Sequence, residues 1–259
     1  MVDKTPDAWA KALRTAQQTG QVIPALRDNG LDSIEQAYQI QSINVAHKID
    51  SGLRIIGHKI GLTSPAVQKQ LGVSEPDFGV LTQEMEVLMG GSIDVAQLIQ
   101  PKAEVEIAFV LGEDMDQPDM SIVDVMACVD FALPAIEVVD SRIENWNIGI
   151  LDTVADNASS SHFVLGHTPK TLDEIDIIQC KMTLHKNGLL VSEGEGAACL
   201  GSPLNALHWL AHEMLAYGAP LKAGQVILTG ALGPMTTAEK GDELVAQIEG
   251  LGPVHLSFK

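Results

Sequence analysis

"PKAEVEIAFVLG" (Pro101–Gly112) reads as a buried strand interrupted by two acids, Glu104 and Glu106. Successive side chains of a strand point to opposite faces, so these two glutamates share one face with Lys102 and Ala108, while Ala103, Val105, Ile107 and Phe109 form the other. Neighbouring carboxylates repel, and moving either out of water is costly unless a positive group meets it. What meets them, or whether the face is solvated, decides how the rest of the chain is arranged.

Outward from this stretch the texture is that of strands and turns. From Arg54 onward, short apolar runs such as "RIIGHKIGL", "LPAIEVV", "HFVLG", "KMTLHKNGLLV", "GQVILTG" and "ELVAQIEGLGPVHLSF" are bounded by Gly, Pro and Asn. Asn187-Gly188 suits a type I′ hairpin. Two helices interrupt the strands: Ser121 with Asp124 opens one, and Ser202-Pro203 opens another that Gly218 ends. The N-terminal fifty residues differ. Thr5 caps a helix that begins at Pro6 and stops at Gly20, and Ser33 with Gln36 predicts a capping box for a second. Strands and helices do not alternate as in a doubly wound sheet, so the fold class is α+β, mainly strands, with a small helical N-terminal segment.

The chain has 259 residues and a formal charge of −18, with no basic cluster to offset the acidic excess, which argues against nucleic acid and anionic membranes as partners. No run is long and apolar enough to cross a bilayer, and the N-terminus lacks an apolar leader core, so a cytoplasmic protein is expected. Cys128, Cys180 and Cys199 lack metal-site or disulfide spacing.

A third acid, Glu137, is the only charge between Phe131 and Val139. Three glutamates from two strands would suit a hard divalent cation; otherwise Glu104 and Glu106 lie on a solvated face and Glu137 pairs with a lysine or arginine. Lys59 sits mid-strand between Gly57 and Gly61, placed to neutralise an anion, to move protons with a lowered pKa, or simply to pair with a glutamate. Asp77, in "EPDFG", has the neighbours of a turn residue. "DTVADNASSSHF" gathers small polar groups that would bind a carboxylate or form a turn. His208 and His212 lie four apart, but "HWLAHE" matches no zinc-protease motif and reads as ordinary helix surface or interface. There is no GxSxG elbow, phosphate loop or dinucleotide fingerprint.

Taken together, "GHKIGLTS", "EPDFG", the P-x-x-E-x-E strand, "LPAIEVVDSR", "DTVADNAS", "CLGSPLNALHWLA" and "GQVILTGALGPM" resemble the 2-keto-4-pentenoate (2-hydroxypenta-2,4-dienoate) hydratases of the fumarylacetoacetate hydrolase superfamily. The resemblance implies a mixed β-sheet roll over residues 54–259 behind a helical region over 1–53. It also implies Mg²⁺ or Mn²⁺ held by Glu104, Glu106 and Glu137, catalysis by Lys59 and Asp77, and substrate binding by Ser159 and Leu62. The expected substrate is a small 2-keto acid or its dienol from meta-cleavage of aromatic compounds. A homo-oligomer, pentamer or decamer, is implied, as is association with 4-oxalocrotonate decarboxylase. That decarboxylase is the main rival; the family's decarboxylases generally lack an aspartate at the position of Asp77 and differ at "GALGPM". An acylpyruvate hydrolase, sharing the metal and the keto-acid chelate, and a non-catalytic partner of a related enzyme also fit the residue pattern.

Overall fold

The structure is a computed structural model that describes residues 5–64, 68 and 75–259. Residues 1–4, part of the N-terminus read as lacking a leader, lie outside the described residues. Helix α1 (Pro6–Thr19) starts where Thr5 Oγ1 accepts from Ala8 N and ends at Gly20, whose φ of 68° is readily available only to glycine. Helix α2 (Ile34–Asp50) begins with Ser33 accepting from Gln36 N; of the expected capping box, this half is formed. Trp9, Leu13, Ala37 and Ile40 bury the facing sides of the pair in the main core, which they share with the strands.

The remaining elements are β1 (Ile55–Gly61), β2 (Asp77–Thr82), β3 (Glu86–Val87), β4 (Ser92–Ile93), β5 (Pro101–Leu111), α3 (Ile122–Cys128), β6 (Val129–Asp140), α4 (Ile150–Ala155), β7 (Ser160–Leu165), β8 (Lys181–Lys186), β9 (Leu189–Glu195), α5 (Pro203–Ala216), β10 (Val226–Ala231), β11 (Thr236–Thr237), β12 (Glu243–Ile248) and β13 (Gly252–Phe258). They form two sheets. The larger has eight strands in the order β2-β1-β10-β5-β6-β7-β3, with β11 paired to β5; the smaller runs β4-β13-β12-β8-β9. Both are mixed: β1 runs parallel to β10 and antiparallel to β2, and β13 is parallel to β4 but antiparallel to β12. The β8–β9 hairpin turns at Asn187 (φ 54°) and Gly188 (φ 80°), both in the left-handed region that a type I′ turn requires.

The alternation of β5 divides the two sides of the large sheet. Ala103, Val105, Ile107 and Phe109 enter the main core with Leu244, Ala246, Val254 and Leu256 of the smaller sheet. Ala108, on the glutamate face, packs in a separate cluster with Leu81, Leu133, Ala135, Phe163 and Leu228. One end of that face is therefore apolar and the other acidic. Pro134 fits inside β6 because its backbone edge faces β7 just past the last ladder pair, Ala135 with Leu165, where only its carbonyl is used, by Gly166 N at 2.8 Å.

Two polar ties fix the N-terminal region to the elements around the site. Gln41 of α2 donates from Nε2 to Phe78 O (2.9 Å) and Val154 O (3.1 Å), joining β2 to α4. Asp152 of α4 accepts from Leu26 N (2.7 Å), Arg27 N (3.1 Å) and the Arg27 guanidinium. Asp77 is not in a turn: it opens β2 and pairs across the ladder with Gly61. Its proline and glycine neighbours are local turn signals, and the long-range pairing overrides them.

Candidate metal centre

Register brings the acids together. Glu104 of β5 is the direct partner of Glu137 on β6, and Glu106 follows two residues on, so all three side chains leave the same face. They are buried, and one carboxylate oxygen from each lies within 4.8 Å of the others. The solvated-face reading of Glu104 and Glu106 is thus overturned, because the rolled sheet covers that face. A bulge in β10 between Leu228 and Ala231 supplies one partner: Gly230, at φ 111°, turns its N–H to Glu106 Oε2 at 2.6 Å. A side chain at Gly230 would run into Thr63.

The other groups come from β1, β2 and the segment after α4. Lys59 Nζ lies 3.3 Å from Glu137 Oε2 and donates to Ala158 O at 3.2 Å. The contact with Glu137 is an ion pair without hydrogen-bond geometry, so both Glu137 oxygens remain without a hydrogen bond, as does Glu106 Oε1. Asp77 Oδ2 accepts from Thr153 Oγ1 at 3.1 Å, and its Oδ1 is buried and unpartnered. Asp77 and Lys59 both pass over Gly61, where an added Cβ would collide with the Asp77 carboxylate. Sequence reasoning missed Thr153 and the Gly230 N–H, since neither carries a local pattern.

Asn157, Ala158 and Ser159 form a turn in which all three residues have left-handed φ (55°, 52° and 52°). Such a run is costly for side chains other than glycine. The Asn157 amide holds it by mimicking a strand, accepting from Val80 N (2.8 Å) and donating to Val80 O (3.0 Å). The turn aims Ala158 O at Lys59 and places Ser159, whose buried hydroxyl has no partner, on the pocket wall. Leu62, also left-handed at φ 56°, lines the same pocket.

The electrostatics follow from burial. Desolvation, then Glu137 and Glu104, hold the Glu106 carboxyl well above its usual range. Glu104 is pushed up to about 7 by burial, with Lys59 opposing and Glu137 and Asp77 reinforcing. Burial also raises Asp77, against the pull of Lys59. For Lys59, burial favours the neutral amine, but Glu137, Glu104, Asp77 and Glu106 outweigh it and the net shift is upward. Of the readings open to Lys59, the pairing with a glutamate is present, with Glu137 as the partner. A site that crowds three carboxylates around one ammonium and leaves several oxygens unsatisfied suits a small, hard divalent cation.

The pocket above these groups has a volume of about 500 Å³; Lys59, Asp77 and Glu104 line it, with Trp146, Ile148 and Leu232 among the apolar walls. His208 and His212 lie elsewhere: both rings converge on Met120 O (2.9 and 3.3 Å), tying α5 to the segment before α3. Among the described residues no helix is long and apolar enough to cross a membrane.

Residues 61–258 match the family described as fumarylacetoacetate (FAA) hydrolase C-terminal. The chain is 50% identical over 258 residues to 2-keto-4-pentenoate hydratase of Burkholderia vietnamiensis, covering 99% of this chain and 98% of that protein. To 2-keto-4-pentenoate hydratase 1 of Dechloromonas aromatica it is 48% identical over 253 residues, 97% and 96% of the two chains. Among solved structures, 4-oxalocrotonate decarboxylase from Pseudomonas putida G7, complexed with magnesium and adipate, aligns with a TM-score of 0.94 at 34% identity, covering 97% of this chain and 96% of that one.

Proposed function

The chain belongs to the fumarylacetoacetate hydrolase family, and we propose from that premise that it is a metal-dependent hydratase. It adds water to 2-hydroxypenta-2,4-dienoate, giving 4-hydroxy-2-oxopentanoate, in the meta-cleavage degradation of aromatic compounds. The observation that carries this reading is the cluster of Glu104, Glu106 and Glu137, with unsatisfied oxygens, of which Glu104 lines a pocket that Asp77 and Lys59 also line. Nearly full-length identity of about half to 2-keto-4-pentenoate hydratases supports it.

Glu104, Glu106 and Glu137 would hold a divalent metal, Mg²⁺ or Mn²⁺. When bound, it supplies Lewis-acid polarisation of the C2 oxygen and an anchor for the 2-oxo carboxylate. The chain's own groups do the rest. Ser159 Oγ, buried and without a partner, donates to the substrate carboxylate. Leu62 packs against the carbon chain. Lys59 keeps its proton and balances the negative charge that gathers on the dienol oxygens during tautomerisation. C5 gains a proton as the C2 hydroxyl loses one, which leaves a conjugated 2-oxo-3-enoate. Asp77 Oδ1, held in orientation by Thr153, then takes a proton from the water that adds at C4 and returns it to C3 as the C2 carbonyl re-forms, which leaves Asp77 as it began. The assembly we assign is a cytoplasmic homo-oligomer, with a pentamer or decamer and association with 4-oxalocrotonate decarboxylase as the arrangements to test.

The second reading, 4-oxalocrotonate decarboxylase, is favoured by the structural similarity to that enzyme. Product analysis separates the two. Purified protein stripped with chelator and resupplied with Mg²⁺ is expected to consume dienol absorbance and yield 4-hydroxy-2-oxopentanoate. CO₂ release from the oxalocrotonate without hydration of the dienol would overturn the hydratase reading.

A further inference from the structure

His208 and His212, which the proposed hydration does not use, lie one turn apart on α5 and project from the same side of it. Leu204, Leu207 and Leu210 of that helix are buried; the two histidines flank this apolar face and are half-buried. The chain opposite them is held at both ends. Met115 N donates to Leu221 O (2.9 Å), just past the end of α5, and Ser121 caps α3. Between these ties Asp119 turns the backbone with φ 56°, and the Met120 side chain is buried in the main core. The Met120 carbonyl is thereby fixed facing α5.

Three polar atoms meet there as a triangle. His208 Nε2 lies 2.9 Å from Met120 O, His212 Nε2 lies 3.3 Å from the same oxygen, and the two nitrogens are 3.2 Å apart. A neutral imidazole nitrogen carries either a hydrogen or a lone pair, and the carbonyl oxygen carries only lone pairs. With a hydrogen on both Nε2 atoms, two donors face each other. With a hydrogen on one, the lone pair of the other faces the carbonyl; with none, all three atoms present lone pairs to one another. Every assignment therefore leaves at least one repulsive edge, whereas a cation seated over the triangle attracts three lone pairs at once.

The dimensions fit such an ion. Bonds of about 2.0–2.1 Å from Zn²⁺ to nitrogen or oxygen give ligand-to-ligand edges of about 3.3 Å in a tetrahedron and about 2.9 Å in an octahedron, which bracket the edges here. Two imidazoles and a carbonyl oxygen suit a borderline ion such as Zn²⁺, while Mg²⁺ favours oxygen ligands alone.

We propose that His208, His212 and the Met120 carbonyl form a second metal site, which takes one Zn²⁺-class transition-metal ion and clasps α5 to the segment before α3. Neither histidine lines the pocket beside Glu104, and "HWLAHE" lacks the glutamate positions of the zinc-protease motifs, so the role is a structural clasp. The inference holds whether or not the chain is a hydratase.

The test is calorimetric titration of the untagged full chain with Zn²⁺ in excess Mg²⁺, which keeps the carboxylate centre supplied with its hard cation. Wild type is expected to take up one Zn²⁺ per chain. His208→Gln and His212→Gln, which each keep a donor for Met120 O, should weaken that uptake at least about tenfold, and Glu106→Gln should retain it. Thermal melts of the same samples report that the variants are folded; Zn²⁺ should raise the melting temperature of wild type and leave that of both histidine variants unchanged. A further reading needs no variant: one equivalent of Cu²⁺ in Mg²⁺-loaded wild type should show electron spin resonance splitting from two nitrogens. Zn²⁺ uptake that survives in both histidine variants, disappears in Glu106→Gln or is absent from wild type would overturn the inference, as would Cu²⁺ coupled to oxygen alone.

Discussion

Glu104 of β5 and Glu137 of β6 stand directly opposite each other in an antiparallel ladder, both buried, with neither Glu137 oxygen hydrogen-bonded. Like charges in this position destabilise a sheet, and Lys59 offsets only part of the repulsion. The arrangement costs stability until a cation is shared among the acids.

Without metal, Glu106 and Glu137 should respond oppositely to neutralisation. Glu106→Gln keeps an acceptor for Gly230 N–H and removes a carboxyl whose ionisation is opposed by burial, Glu137 and Glu104, so at pH 8 the chelator-treated protein should gain stability. Glu137→Gln removes the one carboxylate in ion-pair contact with Lys59, leaving Ala158 O and the other acids, and should lose up to about 3 kcal/mol. Urea denaturation in the presence of EDTA measures both; a shift of the same sign in the two variants would contradict the charge assignment.

Asp77→Asn should leave metal affinity within twofold, on the order of experimental scatter, and slow hydration by about 10²–10⁴-fold, the usual range for losing a general acid or base. Thr153→Val should have a smaller effect in the same direction, since it loosens one Asp77 oxygen and leaves Oδ1 in place. Loss of metal binding in Asp77→Asn would place Asp77 among the ligands instead.

Two buried groups give the metal-free protein opposing pH slopes. Burial raises Glu104 from 4.5 to about 7, so the unfolded chain ionises first and stability falls as pH rises across that window, by about 3 kcal/mol at most. Burial lowers His58 from 6.5 to about 4, so the unfolded chain takes up the proton first and stability falls as pH drops from 6.5 toward 4, again by about 3 kcal/mol at most. Glu104→Gln should make the first limb shallower, Glu106 and Asp77 still contributing, and His58→Gln should flatten the second, as read from the melting temperature against pH in EDTA.

Much of the architecture is legible in the sequence because its signals are local. The Thr5 and Ser121 caps, the Asn187-Gly188 hairpin and the period-2 spacing of Glu104 and Glu106 each depend on a few adjacent residues. The β5–β6 register that sets Glu137 against Glu104 is long-range, and residue patterning by itself is equally compatible with a solvated face. Asp77 escapes a local reading for the same reason, its turn-like neighbours being overruled by pairing with Gly61. Thr153, the left-handed turn at Asn157–Ser159 and the Gly230 bulge arise from tertiary packing and have no spacing to read.

The central claim is that Glu104, Glu106 and Glu137 together hold one divalent cation. Calorimetric titration of chelator-stripped protein with Mg²⁺ tests it most directly. The account predicts one binding event per chain in wild type, with affinity weakened at least about tenfold in Glu106→Gln and in Glu137→Gln; equal binding by all three proteins, or none by wild type, would contradict it.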